Sequence, residues 1–172
     1  VALVNALLNT SRIDMGTFGV EPTPTDVDAL VKKQMHEQEP TWEAKNIRCT
    51  YVAEPNIPKI MVDQKLFSIV VQNLLSNAIK YTPDGGRVTV KLGTTMKQMM
   101  LTVADTGFGI PANQQDKIFT KLFRADNVRQ LVTEGTGLGL YIVKAIVDQT
   151  GGKVWFESEE GKGSTFFFSI PK

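Results

Sequence analysis

The sequence predicts an α+β fold, a two-layer sandwich in which helices pack on one face of a mixed, mostly antiparallel sheet. Three observations predict it. Residues 64–81 form a long helical segment without glycine or proline, two alternating segments at 87–92 and 99–104 follow it as a hairpin, and two more alternating segments follow a second helical segment at 138–150. Helices and hairpins therefore occur in runs, whereas a parallel sheet needs strands and helices in alternation.

The N-terminal segments predict the end of one helix, a junction and the start of another helix. Apolar residues recur at helical spacing in residues 1–15, and glycines and prolines interrupt that pattern in residues 16–24. Thr25, followed three residues later by Asp28, predicts an N-cap. We therefore expect a remnant helix at 1–15, a junction at 16–24 and one domain at 25–172.

The remaining elements follow from the same patterns. Residues 47–52 alternate like a strand, Asp63 is a suitable N-cap for the longest helix, and Pro83 and Gly85 follow the end of that helix. The segment around Pro55 is a predicted loop. The last two predicted strands are 153–157 and 165–170.

The composition is that of an ordinary globular domain and excludes several classes of function. The chain has 172 residues, of which 42% are apolar and 22% charged, and its 19 basic and 18 acidic residues give a net charge of +1. This balance argues against a broad binding surface for nucleic acid or anionic lipid. No apolar run approaches the roughly 18 residues of a membrane-spanning helix. Because the chain begins at Val1 without a basic leader, we expect a fragment of a longer protein.

The chain has a single histidine, His36, and a single cysteine, Cys49. An intrachain disulfide is therefore excluded, and a zinc site would need carboxylates to complete it. His36 lies in a helical segment, where we expect a solvated or partly buried side chain. Cys49 lies in a predicted strand, where we expect a small core residue.

Three polar side chains share one face of the longest predicted helix. Asn73, Asn77 and Lys80 are spaced by four and three residues, which places them together. Such a trio is by itself typical of a solvated face, but two asparagines in mid-helix are poor helix formers and indicate a further role. Their amide oxygens suit Mg²⁺ when phosphates supply the negative charge, and Lys80 suits phosphate. Leu66 and Ile69 fall on the same side, so the face is not purely polar.

Two glycine-containing segments are also candidates for ligand binding. Asp105 ends a predicted strand and precedes Gly107 and Gly109, so a carboxylate that accepts from an amine would lie beside backbone that can approach a planar ligand. The same segment is also typical of an ordinary turn. Residues 135–140 carry three glycines and open a helix, where backbone amides and the positive helix end bind phosphate.

Other phosphate-binding motifs are excluded by their spacing. Residues 161–164, Gly-Lys-Gly-Ser, lack the P-loop pattern, and Leu140 stands where a dinucleotide-binding fingerprint needs its third glycine. The His-Arg-Asp triplet of serine/threonine kinases is missing from the sequence.

Taken in order, four segments resemble the N, G1, F and G2 boxes of bacterial sensor histidine kinases. They are residues 73–81, residues 105–109, Phe119 with Phe123, and residues 135–140. The resemblance covers about residues 22–171. It implies the Bergerat-type ATP-binding fold shared with DNA gyrase, heat-shock chaperone and mismatch-repair ATPases, with ATP held under a mobile lid.

The resemblance also implies a set of site residues. Those implied to bind ATP are Asn73, Asn77, Lys80, Tyr81, Asp105, Gly107, Gly109, Ile110, Lys121, Phe123, Arg124, Thr136, Gly137, Leu138, Gly139, Leu140 and Thr165. Asn73, Lys80 and Arg124 would act in catalysis. Asn77 would bind Mg²⁺, and Asp105 would accept from the adenine amine. The lid would be residues 125–134, in which Glu134 replaces a glycine found in many members.

Asn73 separates two mechanisms. In the related hydrolysing ATPases, a glutamate at this place is the general base that acts on water, and asparagine is not a comparable base. The sequence therefore favours transfer of the γ-phosphoryl group to an external acceptor, with its charge offset by Mg²⁺, Lys80 and Arg124.

The implied acceptor is a histidine on a dimerising helix hairpin, and His36 lacks the sequence that surrounds that histidine in the family. We therefore expect a histidine-containing dimerisation domain elsewhere in the full-length protein, which would be a homodimer, while the fragment would be monomeric. A response regulator would be a further partner. The resemblance implies a cytoplasmic domain of a membrane-bound sensor, without contact between this fragment and nucleic acid or membrane. The alternatives are a nucleotide-binding sensor or pseudokinase of the same fold, and an ATP-hydrolysing relative.

Overall fold

The computed structural model describes residues 19–129 and 135–172. The strands are β1 (Thr23–Thr25), β2 (Arg48–Ala53), β3 (Ile60–Val62), β4 (Arg87–Thr94), β5 (Gln98–Asp105), β6 (Lys153–Glu159) and β7 (Gly163–Pro171). The α-helices are α1 (Val27–Ala44), α2 (Gln64–Tyr81), α3 (Asp126–Arg129) and α4 (Gly139–Gln149), and Ala112–Lys117 form a 3₁₀ helix. The predicted remnant helix at 1–15 lies outside the described residues.

Five of the strands form one mixed sheet in the order β2-β4-β5-β7-β6. β2 pairs with β4 in parallel, and the other neighbours pair antiparallel. The helices α1, α2 and α4 lie side by side on one face of this sheet. The predicted two-layer sandwich is therefore confirmed. Outside it, β1 and β3 form a two-stranded antiparallel ribbon.

The core lies between the sheet and the helices because side chains alternate along each strand and only one face is covered. The buried strand residues on this face include Val88, Val90, Leu92, Met99, Leu101, Val103, Phe166, Phe168 and Ile170. The helix α2 buries its apolar stripe against them, with Phe67 and Phe168 ring centroids 5.9 Å apart. The opposite face of α2 is left free to line a site.

The start of α2 agrees with its sequence signal. The Asp63 side chain accepts hydrogen bonds from the backbone N–H groups of Lys65 and Leu66, as an N-cap does. Leu66 is buried even though it lies on the polar side of the helix, because it packs into the hydrophobic core, to which Val62 of β3 also belongs. The pairing of β1 with β3 is a long-range contact that the local pattern does not reveal.

The N-terminal helix differs from its prediction in two ways. Its N-cap is Asp26, which accepts from the backbone N–H of Ala29, and the predicted N-cap Thr25 belongs instead to β1, opposite Ile60. The predicted border between residues 24 and 25 therefore falls inside a strand. The helix also continues through Pro40, which is exposed, so water can satisfy the carbonyl group left without a donor.

The two rare side chains behave as expected. The side chain of His36 is 85% exposed, and its Nδ1 lies 3.0 Å from the Glu39 carboxylate on the same helix. Cys49 is half-buried against the core, and burial raises the pKa of its thiol to about 11. Neither residue lies near the pockets described below.

Candidate functional site

Two adjoining pockets lie between the polar face of α2 and the loops that follow β5 and precede α4. The carboxylate pocket has about 600 Å³ of empty space and is lined by Asn77, Ala78, Tyr81, Asp105, Gly109, Ile110, Ile118, Phe123, Arg124, Ala125, Val128, Leu140, Ser164 and Phe166. The loop pocket is lined by Asn73, Ser76, Asn77, Lys80, Tyr81, Ile118, Phe123, Gly135, Thr136, Gly137, Gly139, Leu140 and Ile142. Shared walls at Asn77 and Tyr81 make the two pockets one continuous site.

Asp105 stands at the end of β5 with one carboxylate oxygen fixed by backbone. Its Oδ1 accepts from the Gly107 N–H at 2.8 Å and from the Ser164 N–H at 3.2 Å. Burial raises the pKa of Asp105 to about 6, although these two hydrogen bonds oppose the rise. Its Oδ2 accepts no hydrogen bond from the described residues, so this oxygen is available to a donor in the pocket.

The last strand contributes Ser164 to the carboxylate pocket in place of the predicted Thr165. Ser164 and Phe166 line the pocket, and Thr165 lines neither pocket because successive side chains of β7 point to opposite faces of the sheet. The pocket residue of this strand is therefore one position before the predicted one. Ser164 could have been found from the alternation of the apolar residues Phe166 and Phe168, which puts position 164 on the same face of the sheet.

The G1 segment supplies backbone and one apolar side chain. Ile110 lines the carboxylate pocket, and its N–H donates to the Ser158 hydroxyl at 2.9 Å. Gly109 also lines this pocket and has a φ of +65°, and its neighbour across the wall is the Glu159 backbone, with which a Cβ at this position would collide. Gly107 lines neither pocket. Its contribution in the structure is its backbone N–H, which donates a hydrogen bond to the Asp105 carboxylate.

The polar face of α2 runs from one pocket into the other. Asn73 and Lys80 line the loop pocket, and Asn77 and Tyr81 line both. Asn73 Nδ2 donates to the Ile69 carbonyl at 2.8 Å, which leaves its Oδ1 facing the loop. Burial raises the pKa of the Tyr81 hydroxyl, and a hydrogen bond and charge from Arg124 oppose this rise.

The glycine-rich loop before α4 packs directly on these side chains. A Cβ at Gly135 would collide with Lys80 Nζ, and one at Gly139 would lie 2.7 Å from Asn73 Oδ1. Glycine at both places therefore lets the loop backbone approach the polar helix face. Thr136 and Leu140 line the loop pocket. Leu138 does not, because its side chain is 1% exposed and belongs to the core.

The F-box segment is divided between core and site. Phe123 lines both pockets, and Arg124 lines the carboxylate pocket, with Nη1 3.5 Å from the Gly135 carbonyl oxygen. Phe119 packs edge-on against Phe156, with centroids 6.0 Å apart. Lys121 lines neither pocket, and its ammonium group lies 5.7 Å from the centroid of the Tyr141 ring. Its approach to the phosphates stays a prediction.

The first residues of the predicted lid are tied to the 3₁₀ helix. The Gln114 side chain donates to Asp126 Oδ2 at 2.7 Å and accepts from the Asp126 N–H at 2.9 Å, and Asn127 Nδ2 donates to the Gly109 carbonyl at 3.1 Å. Val128 is buried in the wall of the carboxylate pocket. Residues 130–134 of the predicted lid lie outside the described residues.

Several pocket residues were not named as binding residues from the sequence. They are Ser76, Ala78, Ile118, Ile142, Ser164 and Phe166, together with Ala125 and Val128, which were predicted only as part of the lid. Most are apolar and carry no local signal that separates a pocket wall from the adjoining core.

Asn77 is the residue whose chemistry best fits a metal ion bound with phosphate. Its side chain lines both pockets and makes no hydrogen bond with the described residues. Over the same residues, no group of three or more histidine, cysteine or acidic side chains could hold a metal ion. One neutral oxygen suits Mg²⁺ only when phosphate oxygens and water complete its shell. The donor set thus fits a nucleotide-borne Mg²⁺ and not a protein-held one. No helix in the described part is long and apolar enough to cross a bilayer.

Comparison with known proteins agrees with this geometry. Residues 62–172 match the model of the histidine kinase-, DNA gyrase B- and HSP90-like ATPase family. The adaptive-response sensory kinase SasA of Synechocystis sp. is 33% identical over 170 residues, which are 98% of this chain and 44% of that protein. The sensor histidine kinase WalK of Bacillus subtilis is 40% identical over 114 residues, 65% of this chain and 19% of that protein. The chain therefore spans less than half the length of these curated relatives.

Solved structures are similar over nearly the whole chain. Full-length ShkA in complex with AMPPNP has a TM-score of 0.87 and 27% identity, over 99% of this chain and 35% of that one. Histidine kinase ThkA in complex with the response regulator protein TrrA has a TM-score of 0.78 and 25% identity, over 99% of this chain and 48% of that one. With the four boxes gathered around one two-part site, this chain belongs to the histidine kinase-, DNA gyrase B- and HSP90-like ATPase family, as an ATP-binding domain of the sensor histidine kinase kind.

Proposed function

We propose that this chain binds Mg-ATP and transfers the γ-phosphoryl group to a histidine on a separate dimerisation domain. The observation that carries the proposal is the chemical division of the site. One end holds a partly buried carboxylate, and the other holds amides, a lysine and glycine-rich backbone without any acidic side chain in its described lining. A nucleotide has the same division, with an amine-bearing base at one end and polyanionic phosphates at the other.

At the base end, Asp105 Oδ2 accepts a hydrogen bond from the adenine amine. The apolar side chains of Ile110, Val128 and Phe166 enclose the planar base and exclude water from it. Because the carboxylate is partly desolvated, its bond to the amine is stronger than the same bond in water. The base end therefore sets which nucleotide binds.

At the phosphate end, the ammonium group of Lys80 offsets the charge of the phosphates. The guanidinium group of Arg124 adds to this from the wall of the carboxylate pocket, where its Nη1 lies 3.5 Å from the carbonyl oxygen of Gly135 in the loop pocket. Backbone amides at the start of α4 add the positive end of the helix dipole. Asn77 would hold Mg²⁺, which would offset part of the negative charge of the phosphates. These groups would hold the γ-phosphoryl group in the loop pocket.

Transfer is favoured over hydrolysis because the described lining of the loop pocket offers no base for water. Asn73 occupies the position of the general base of the hydrolysing relatives, and its amide is held by the Ile69 carbonyl. No acidic residue lines the described part of the loop pocket. An external nucleophile that brings its own base is therefore the acceptor that this site suits.

The reaction of the purified chain with ATP, without any added acceptor, tests whether the site favours transfer over hydrolysis. We expect ATP to bind, as measured by calorimetry, without sustained release of phosphate over many turnovers. Sustained release by the purified chain would instead assign it to the hydrolysing relatives. No observation favours the pseudokinase alternative, because both ends of the site are present.

The partners follow from the same proposal. ThkA, a similar structure, is known in complex with a response regulator protein. We infer that the full-length protein is a homodimer with its acceptor histidine in the dimerisation domain, and that residues 1–15 belong to that domain. The last two residues of the predicted junction at 16–24 already belong to β1, so we place the start of the ATP-binding domain at Thr23. Its phosphoryl group would pass to a response regulator in the cytoplasm. His36 is not the acceptor of this scheme, because it is exposed on α1 and away from both pockets.

A further inference from the structure

We infer that Ser158, a residue of β6 outside both pocket linings, sets the preference of the site for a 6-amino purine over a 6-oxo purine by fixing the direction of the Ser164 hydroxyl. The inference rests on the proposed function, since it takes the ligand to be a purine nucleotide. Ser158 is thus a positioning residue that acts through Ser164.

The Ser158 hydroxyl lies at the centre of three short contacts. It accepts from the Ile110 N–H at 2.9 Å, lies 3.1 Å from the Gly163 carbonyl oxygen, and lies 2.9 Å from the Ser164 hydroxyl. Ile110 and Ser164 both line the carboxylate pocket. Ser158 therefore connects two walls of this pocket from behind.

The number of protons decides the direction of these bonds. A serine hydroxyl has one proton to donate and can accept two hydrogen bonds. Two of the three directions are fixed, because the Gly163 carbonyl oxygen can only accept a hydrogen bond and the Ile110 N–H can only donate one. All three contacts are hydrogen bonds only if Ser158 donates to Gly163 and the Ser164 hydroxyl donates to Ser158.

This direction leaves Ser164 as an acceptor toward the pocket. Its proton points back to Ser158, so only its lone pairs face a ligand, either directly or through a water molecule. The Ser164 N–H also donates to Asp105 Oδ1 at 3.2 Å, which places the two residues side by side. The wall of the pocket formed by Asp105 and Ser164 therefore presents two acceptors, the Ser164 hydroxyl oxygen and Asp105 Oδ2.

Two acceptors favour an amine and disfavour a carbonyl group. The 6-amino group of adenine has two N–H donors, whereas the 6-oxo group of hypoxanthine offers only lone pairs there. A 6-oxo purine would set oxygen against oxygen in a partly desolvated pocket, where unmatched polar groups are costly.

The position of Ser158 is held independently of its hydroxyl. The Gln115 side chain donates to the Ser158 carbonyl oxygen at 3.1 Å and to the Ile110 carbonyl oxygen at 3.0 Å. Removal of the Ser158 hydroxyl therefore leaves the strand and the Ile110 segment joined. What it releases is the Ser164 proton, which could then turn into the pocket and donate to a 6-oxo group.

The test compares the affinities of ADP and inosine diphosphate by calorimetry. We expect Ser158→Ala to reduce the preference for ADP by about tenfold, the effect of about one hydrogen bond. Ser158→Thr keeps the hydroxyl and should retain the wild-type preference. Thr102→Ala, which removes a hydroxyl from the uncovered face of β5, should also retain it.

The ratio of affinities separates this role from a structural one. If Ser158→Ala weakened both nucleotides equally, or left both unchanged, the inference would be wrong while the proposed function stood. If the wild-type chain bound neither nucleotide, the proposed function and the inference would both fail.

Discussion

The negative charge of Asp105 favours ligand binding but lowers the stability of the folded protein. Its pKa rises from 3.8 to about 6 because burial disfavours the charged form. A carboxyl group with a raised folded-state pKa contributes stability that is fully present below its unfolded-state pKa and is lost as pH rises through the folded-state pKa. Near neutral pH the protein therefore keeps a charge that costs stability and serves the ligand.

Asp105→Asn should expose this cost. The asparagine oxygen can still accept from Gly107 and Ser164, but it carries no charge. We expect the variant to be more stable than the wild type at pH 7.5, by at most about 3 kcal/mol, and the difference to shrink toward pH 4.5. Urea unfolding at both pH values measures it. An equal gain at both would contradict the assigned pKa of Asp105.

Asp105→Ala tests the role of the same residue in base recognition. Loss of the carboxylate removes the charged acceptor of the adenine amine in a partly buried pocket. We expect adenine-nucleotide binding to weaken by about 1 to 3 kcal/mol. Calorimetry that gave the wild-type affinity for ATP would refute the role.

Asn77→Ala tests the metal assignment. The variant removes the one pocket amide that has no described protein partner. We expect the loss of affinity for ADP to be larger in the presence of Mg²⁺ than in its absence, because the amide oxygen would bind the metal and not the nucleotide. Equal losses under both conditions would assign Asn77 to the nucleotide itself.

At the scale of elements, the C-terminal turn of α2 is held by a residue distant in sequence. Lys45, directly after α1, donates from Nζ to the carbonyl oxygens of Ile79, Lys80 and Thr82 at 2.9, 3.2 and 2.5 Å. The Tyr81 carbonyl accepts from the Phe108 N–H at 3.1 Å. A cation at a helix C-terminus is also favoured by the helix dipole. Lys45 therefore stabilises the turn that carries Lys80 and Tyr81 into the site.

Lys45→Met should lower the free energy of unfolding by about 1 to 3 kcal/mol, because three carbonyl groups lose a charged donor. Lys33→Met is the matched control. Lys33 is exposed and lies 3.9 Å from Glu37, so its loss should cost less than about 0.5 kcal/mol. If urea unfolding gave the same loss of unfolding free energy for both variants, the hydrogen bonds of Lys45 would not stabilise the fold more than an exposed lysine does.

At the scale of the whole molecule, local patterns predicted the layers and both ends of the site but not the contacts made between distant segments. Asp63 begins α2 as its neighbours indicate, whereas Thr25 and Asp26 are equally suited to cap α1, and the choice depends on the pairing of Thr25 with Ile60. Thr165 was named from the resemblance to the family, whereas Ser164 lines the pocket because a strand's side chains change face at every residue. Leu138 was also named from the resemblance, as part of the glycine-rich box, but its own side chain fills the core.

The whole account depends on transfer to a histidine outside this chain, and one measurement tests that most directly. The purified chain is mixed with a dimerisation domain that carries the acceptor histidine and with ATP labelled at the γ-phosphate. The account predicts label on that domain, dependent on its histidine, stable to base and labile to acid, and strongly reduced by Asn77→Ala. Label that appeared only as free phosphate, at a steady rate without the added domain, would contradict it.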